Sequence, residues 1–307
     1  MDVETPEPSK TNDPTERLTL RECAEKGILE KRNPHPHDKR LTFEEIGHHY
    51  FVDGVRHDEL HYLSSTTLLG KFFPSFDKEK CIFYIMRSRR YVSDPEYRYY
   101  RMSEEDILQQ WADIGQDASS RGSYFHISAE YHCNDIPSND NSPEFRQYLE
   151  FREAHPELVP FRTEMLIFDP KYRVVGSVDA VFQNLNTNKF LIVDWKRSKK
   201  VSGKGGDKGF WPLEHLRSAN LTKYSLQLSL YTYMLEQNYG LEMENSALVV
   251  CHPNQTEHQM IRTTYMRDEV ELMMNYRLLQ LYKAQVLPMP AEITENEAVD
   301  WDLIRDL

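Results

Sequence analysis

Alternating apolar and polar residues predict three consecutive strands in the middle of the chain. The segments are TEMLIFD (163–169), RVVGSVDAVF (173–182) and KFLIVDW (189–195), and the turn-prone stretches DPKY and QNLNTN separate them. Connections this short join neighbouring strands that run in opposite directions. The pattern therefore predicts three antiparallel strands within one sheet.

Helical spacing of apolar residues occurs on both sides of these strands in the chain. The sequence Ser103-Glu-Glu-Asp106 has the form of a capping box, and the helix that it begins is expected to break near Gly122. Further helices are predicted over 144–154, over 220–239 with Gly240 as the C-cap, and over 267–285. Between the last two, ALVVCHP and HQMIRTTYM predict a hairpin that turns at Asn254 and Gln255.

The N-terminal third shows weaker patterns. Residues 1–40 lack sustained periodicity and read as a flexible arm with one short helix near 20–31. From residue 41, alternation around Asp53-Gly54 predicts a hairpin, and helical spacing follows Thr66. The predicted division is a flexible arm over 1–40, a hairpin and helical region over 41–104, a catalytic core over 105–290 and a tail over 291–307.

The balance of charge restricts where a polyanion could bind. Asp and Glu total 49 against 37 Lys and Arg, a formal charge of −12, which argues against a protein that coats nucleic acid over its whole surface. Two local basic stretches remain, and their candidate nucleic-acid-binding residues are Arg87, Arg89, Arg90, Tyr97 and Arg98 in the first and Arg197, Lys199, Lys200 and Lys204 in the second. Arginine interleaved with tyrosine suits a single strand, although an exposed helix would look the same. The second, glycine-rich stretch could close over a nucleic-acid backbone or be a disordered insertion.

Several classes of protein are not indicated by the sequence. No run of eighteen apolar residues occurs and the N-terminus does not resemble a secretory signal, so we expect an intracellular protein without a membrane partner. The four cysteines show no CxxC spacing, so neither a zinc knuckle nor an iron–sulfur cluster is expected.

Asp179 and the sequence Asp194-Trp-Lys196 carry the candidate chemistry. Residues two apart on a strand point to the same face, so Asp194 and Lys196 should lie together, with Trp195 on the opposite face. Pairing of the two strands would bring Asp179 beside Asp194 and provide two hard oxygen ligands for Mg²⁺ or Mn²⁺. The alternatives are an ordinary Asp–Lys ion pair, or plain core strands of an unrelated α/β protein.

Four blocks in order resemble one nuclease family. His126, Gly176-Ser-Val-Asp179, Asp194-Trp-Lys196 and Gln227-Leu-Ser-Leu-Tyr231 together are similar to the RecB-like exonuclease branch of the PD-(D/E)XK nuclease superfamily, over roughly residues 105–285. That branch includes the nuclease domains of RecB and AddB and the mitochondrial genome-maintenance exonuclease. The resemblance implies an α/β (α+β) fold with a restriction-endonuclease-like core, in which helices flank a central mixed sheet. The chain lacks the cysteine set that holds an iron–sulfur cluster in part of the branch.

The resemblance also implies a role for each site residue. The implied metal ligands are His126, Asp179, Asp194 and the carbonyl of Trp195, the implied catalytic lysine is Lys196, and Gln227 and Tyr231 would position the substrate or that lysine. Glu130 could join the site from the next turn of its helix. Glu164 resembles an acidic residue often found on this strand in the branch, and its role stays open, with contact to a ligand of the metal as one possibility. Simpler readings are a polar helix-face histidine, a solvated Glu130 and a core-facing Tyr231.

The expected function is metal-dependent cleavage of DNA. The favoured activity is that of an exonuclease acting on DNA ends, with a preference for single strands, in replication, recombination or repair. The competing hypotheses are an endonuclease on the same fold and a nucleic-acid-binding relic that does not cut. The sequence indicates no particular protein partner.

Overall fold

The computed structural model describes residues 28–288. Its helices are α1 (Ile28–Arg32), α2 (Ser65–Gly70), α3 (Lys78–Arg87), α4 (Arg89–Ser93), α5 (Glu104–Cys133), α6 (Pro143–Ala154), α7 (Asn220–Tyr239) and α8 (Arg267–Lys283), with a single 3₁₀ turn over Pro36–Lys39. Its strands are β1 (Leu41–Glu44), β2 (His49–Val52), β3 (Val55–Arg56), β4 (Leu63–Ser64), β5 (Leu158–Asp169), β6 (Val174–Asn184), β7 (Phe190–Arg197), β8 (Ala247–Cys251) and β9 (Gln259–Arg262).

A mixed sheet forms the centre of the fold. Strand β6 pairs antiparallel with β5 and with β7, which confirms the three predicted antiparallel strands. The sheet continues from β7 to a parallel β8 and an antiparallel β9, and β4 pairs parallel with the start of β6. Helices cover both faces, so the predicted α/β architecture, a restriction-endonuclease-like sheet flanked by helices, is confirmed.

Alternate residues of β7 enter two different hydrophobic layers. Ile192 packs with side chains from α7 and α8, whereas Leu191, Val193 and Trp195 pack with side chains from α5 and α6. A strand buried on both faces has an almost continuous apolar sequence, as the run from Leu191 to Val193 does. Burial of both layers fixes the register of the strand, because a slip by one residue would exchange its two faces.

Helix α5 differs from its predicted form. The cap is as expected, since Ser103 Oγ accepts a hydrogen bond from Asp106 N. The predicted break near Gly122 is wrong, because α5 continues without interruption from Glu104 to Cys133. A single glycine costs a helix only about 1 kcal/mol, and burial of Phe125 and Ala129 in the layer below β7 holds the second half of the helix in place.

The first hairpin is a three-stranded meander. Its turn between β2 and β3 lies at Asp53-Gly54 as predicted, and both residues have positive φ angles of 51° and 79°. The sequence pattern does not predict the second turn, which lies at Gly47-His48 between β1 and β2. Gly-His is not one of the dipeptides that signal a tight turn most strongly.

The described part of the predicted arm contacts the central sheet. Leu29 of α1 is buried against the layer beneath β7, and the Asp38 carboxylate lies 3.0 Å from the guanidinium of the buried Arg162 on β5. The rest of that prediction, residues 1–27, lies outside the described residues, as does the tail from residue 289. Strand β4 belongs to the central sheet, although it precedes residue 105, the predicted start of the catalytic core. The division into domains stays a prediction.

Among residues 28–288, no helix combines the length and the apolar composition that crossing a bilayer requires.

The connection between β8 and β9 is longer than the predicted turn, because residues 252–258 lie between the two strands. Gln147 of α6 holds this loop. Its Nε2 donates to the carbonyl oxygens of His252 (3.1 Å) and Gln255 (2.8 Å), and its Oε1 accepts from His252 N (2.9 Å). A buried amide from a distant helix thus adds to the turn hydrogen bond that Gln255 N donates to the His252 carbonyl oxygen at 2.9 Å.

Replacing Gln147 with leucine should lower the free energy of unfolding by about 2 to 3 kcal/mol, since it leaves buried peptide groups without partners. Urea denaturation followed by circular dichroism measures the change. Gln109→Leu, an exposed position on α5, is the matched control and should change stability by less than about 0.5 kcal/mol. Equal stability of the two variants would contradict the role given to Gln147.

Candidate metal centre

Three carboxylates lie in a row across β5, β6 and β7. Thr163 pairs with Ala180 and Met165 with Val178, so Glu164 on β5 lies across from Asp179 on β6. Ala180 pairs with Val193 on the other side, so Asp179 is also the neighbour of Asp194 on β7. Neighbouring strand positions are about 5 Å apart at Cβ. The sheet therefore brings three acidic residues, distant in sequence, to one place.

Helix α5 brings a histidine to this row. Ligand atoms of His126, Glu164 and Asp179 all lie within 4.8 Å of one another. His126 Nδ1 is 3.5 Å from Asp179 Oδ2, and its Nε2 is 2.9 Å from the carbonyl oxygen of Trp195. Among residues 28–288, these three side chains are the set close enough together to hold a metal ion, and neither Asp194 nor Glu130 is part of it.

Glu164 has a strained backbone. Its φ angle is 43°, which is rare for a residue other than glycine and costs about 1 to 3 kcal/mol. The strain falls next to a register shift between Pro160 and Arg162, where β5 is irregular. The Glu164 carboxylate accepts a hydrogen bond from Ser177 Oγ at 3.3 Å. The sequence leaves the role of Glu164 open, and the structure places its carboxylate beside Asp179 and His126.

Asp194 and Lys196 form a buried ion pair on the same face of β7, with Lys196 Nζ 2.6 Å from Asp194 Oδ2. Burial raises the pKa of the Asp194 carboxyl to about 6, the Lys196 ammonium opposes this shift, and the Asp179 charge adds to it. For Lys196, burial lowers the pKa, but the attraction of Asp194 and Asp179 outweighs it, so the net pKa lies above the ordinary value. The lysine is therefore charged at neutral pH. Trp195 points to the opposite face, as the strand alternation predicts, and is buried there.

The donor set fits a hard divalent cation. Carboxylate and carbonyl oxygens are the ligands preferred by Mg²⁺ and Mn²⁺, and a histidine nitrogen is compatible with Mn²⁺. Asp194 Oδ2 is buried and makes no hydrogen bond of acceptable geometry, even though the Lys196 ammonium is close to it. Three adjacent carboxylates with one lysine leave an excess of negative charge, which a cation would offset.

Gln227 and Tyr231, the two candidate site residues of α7, contact each other. Gln227 Nε2 donates a 2.9 Å hydrogen bond to Tyr231 OH, one turn further along the helix. Tyr231 is only 4% exposed, so it both belongs to the hydrophobic core and takes part in a polar contact. Its hydroxyl also lies 2.9 Å from Ser65 Oγ on α2. The sequence signal available for Ser65 was only the start of helical spacing, which did not single it out.

The first basic stretch lies on α3, α4 and the turns that follow. Its arginines are exposed, and three of them, Arg87, Arg90 and Arg98, lie over aromatic rings. The Arg90 guanidinium lies 4.5 Å from the centre of the Tyr97 ring and also bonds Asp94, and that of Arg98 lies 5.1 Å from the Tyr99 ring. The remaining members of the stretch, Arg87 and Arg89, are also exposed. This surface therefore combines cationic groups with aromatic faces.

The second basic stretch begins directly after Lys196. Lys199, Lys200 and Lys204 are exposed, as a nucleic-acid contact requires. Arg197 differs from them, because its guanidinium forms a close, buried ion pair with Glu144 of α6, and its charge is already compensated.

The loop that carries these lysines is held to the start of α7. Ser202 N donates to Asn220 Oδ1 at 2.7 Å, and Asn220 Nδ2 donates to the carbonyl oxygen of Lys200 at 3.1 Å. Gly206 has a φ angle of 81°, and a Cβ there would lie 2.6 Å from Ser218 Oγ. Defined contacts of this kind are not those of a disordered insertion.

Comparison with known proteins identifies one nuclease superfamily. The family model of the PD-(D/E)XK nuclease superfamily matches residues 140–298, which is more than half of the chain and includes the three carboxylates and Lys196. No curated protein sequence matches the chain. The crystal structure of SSO0001 is similar at 15% sequence identity and a TM-score of 0.33, covering 90% of this chain and 87% of that one.

Proposed function

Because the chain belongs to the PD-(D/E)XK nuclease superfamily, whose members are metal-dependent nucleases, we propose that it is a DNA exonuclease of the RecB-like branch. The observation that carries the proposal is the convergence of His126, Glu164 and Asp179 within 4.8 Å, beside the Asp194–Lys196 pair. A histidine from a helix together with carboxylates from adjacent strands is the arrangement that the resemblance to this branch implies.

We assign the metal to this convergence. His126, Asp179, Asp194 and the Trp195 carbonyl would hold the ion, and Glu164 is close enough to add a further oxygen. Bound Mg²⁺ or Mn²⁺ would supply concentrated positive charge against a phosphate and lower the pKa of a water molecule. His126 Nε2 lies 2.9 Å from the Trp195 carbonyl oxygen, so the backbone of β7 presents this oxygen to the site.

Lys196 is the assigned catalytic lysine. Its ammonium is fixed between Asp194 Oδ2, 2.6 Å away, and the face of the Tyr224 ring, whose centre is 5.1 Å away. A fixed, charged group beside the scissile phosphate stabilises the negative charge that develops during hydrolysis and orients the attacking water. Gln227 is assigned to position Lys196 or the substrate from α7.

The preference for a single strand rests on the surface of α3 and α4. Exposed rings there include Phe83 and Tyr84, which are 47% and 62% exposed, next to arginines that can bind phosphate groups. Unpaired bases stack on such rings, whereas paired bases are not free to do so. Helix α5 spans the distance between this surface and the site. Trp111 and His126 lie fifteen residues apart on this helix, which corresponds to about 22 Å.

The proposal predicts which DNA molecules are cut. With Mg²⁺ or Mn²⁺, the protein should degrade end-labelled linear single-stranded DNA, cut linear duplex more slowly, leave circular single-stranded DNA intact and be inactive in EDTA. Product ladders on denaturing gels measure all four reactions. Asp179→Asn, which removes a ligand charge and retains the shape of the side chain, is the control for a contaminating nuclease.

Three results would count against the proposal. Cutting of circular DNA would identify an endonuclease on the same fold. Binding of DNA without any cutting, in either metal, would identify a relic. Cleavage of RNA in preference to DNA would contradict the assigned substrate.

A further inference from the structure

The corner between β4 and α2 reaches the proposed active site. Ser65 is the first residue of α2, is 2% exposed, and lies 166 residues before Tyr231, yet its Oγ is 2.9 Å from the Tyr231 hydroxyl. Strand β4 pairs with Val174 and Val175 of β6, and this pairing fixes the position of the corner along β6. Ser65 lies outside the residues that match the nuclease family model.

Gly176 makes room for this contact. A Cβ at position 176 would lie 2.7 Å from Cε1 of Tyr231 and 3.0 Å from Ser65 Oγ, distances that no side chain tolerates without movement of its neighbours. Gly176 is three residues before Asp179 on β6. The serine, the tyrosine ring and the strand that carries Asp179 are therefore packed together without space for a methyl group.

Tyr231 OH lies between two hydrogen-bond partners, Gln227 Nε2 and Ser65 Oγ, each at 2.9 Å. Gln227 Nε2 donates to the Tyr231 oxygen, so the hydroxyl proton of Tyr231 is free to be donated to Ser65 Oγ. Burial raises the pKa of Tyr231 to about 12, and the charges of Asp179 and Asp194 add to the shift, so the hydroxyl keeps its proton at neutral pH. Without Ser65, the buried Tyr231 hydroxyl would lose one of the two partners that orient it.

We propose that Ser65 is a positioning residue of the nuclease site, acting through Tyr231 on the amide of Gln227. This inference rests on the proposed function, because it gives Gln227 a role beside Lys196 and the substrate. The segment around β4 and α2 is then part of the catalytic unit, although it precedes the family match by 75 residues. A misplaced amide affects the reacting geometry more than it affects the binding of DNA.

Ser65→Ala should lower kcat on linear single-stranded DNA roughly threefold to tenfold, as expected for one hydrogen bond, and leave KM unchanged. Ser64→Ala is the matched control. Ser64 Oγ caps α2 by accepting from Thr67 N and does not contact Tyr231, so its loss should lower thermal stability and leave kcat unchanged. In the Tyr231→Phe background, which already lacks the hydroxyl, Ser65→Ala should have no further effect on kcat. Losses that multiply in the double variant, or an equal fall of kcat in Ser64→Ala, would overturn the inference.

A second readout does not depend on activity. In protein labelled with [¹³Cζ]tyrosine, the NMR signal of Tyr231, assigned by its loss in Tyr231→Phe, should shift in Ser65→Ala and not in Ser64→Ala. An unmoved signal would overturn the positioning role even in an active nuclease. Inactivity of the unaltered protein on every DNA substrate would instead contradict the proposed function, and the NMR result would still report whether Ser65 orients Tyr231.

Discussion

Asp179→Asn should reduce metal-dependent DNA cleavage about 10³-fold or more, because the lost charge removes several kcal/mol of metal-mediated stabilisation. Asp179 lies at the centre of the row, between Glu164 and Asp194, and within reach of His126. Single-turnover cleavage of linear single-stranded DNA measures the chemical step. Titration calorimetry with Mn²⁺ measures the accompanying loss of metal affinity, which we expect in the same variant.

The fold should tolerate this change. Asp179 Oδ2 accepts a 3.0 Å hydrogen bond from Trp195 N, and the amide oxygen of asparagine can accept the same bond. Asp117→Asn, at an exposed position of α5, is the control for a nonspecific effect of losing one carboxylate. Undiminished cleavage and Mn²⁺ binding by Asp179→Asn would remove Asp179 from the metal centre.

Lys196→Met should slow cleavage about 10²- to 10³-fold, the loss typical of one group that stabilises developing charge. Lys196→Met should strengthen metal binding, whereas Asp179→Asn should weaken it. Without the ammonium, Asp194 is a buried carboxylate with no positive partner, so the metal-free protein should lose about 3 kcal/mol of stability. Added Mn²⁺ should restore stability to this variant more than to the unaltered protein, because binding to the folded state stabilises it.

Thermal denaturation with and without Mn²⁺ tests this second expectation. Lys199→Met, which removes an exposed lysine three residues further on, should change neither the melting temperature nor its response to Mn²⁺. If Lys196→Met retained full cleavage activity, the lysine would be only the structural partner of Asp194, which is the simpler reading of an Asp-x-Lys sequence.

Strand alternation in the sequence is sufficient to place part of the site. Asp194 and Lys196 share one face and Trp195 lies on the other because the side-chain period of a strand is two, and this holds in any environment. The antiparallel order of β5, β6 and β7 follows from turns too short for any other connection. Asp179 can therefore be placed beside Asp194 from the sequence alone.

Other features depend on contacts that local sequence does not encode. Glu164 lies beside Asp179 through the pairing of β5 with β6, and no residue in TEMLIFD signals a positive φ angle at a glutamate. Arg197 looked like part of a basic patch, but its partner Glu144 lies 53 residues earlier, on α6. Ser65 meets Tyr231 only through tertiary packing, which also keeps α5 continuous at Gly122.

Asp179 lies on β6, which is bonded to β5 along its whole length on one side and to β4 and β7 on the other. The amide protons of such a strand exchange with solvent only when most of the molecule opens, whereas short helices with few buried residues, such as α3 and α4, open at lower cost. We therefore expect the proposed metal centre to lie in the last region to unfold and the exposed aromatic surface in one of the first. If this surface binds DNA as proposed, moderate warming should weaken DNA binding before the proposed metal centre unfolds.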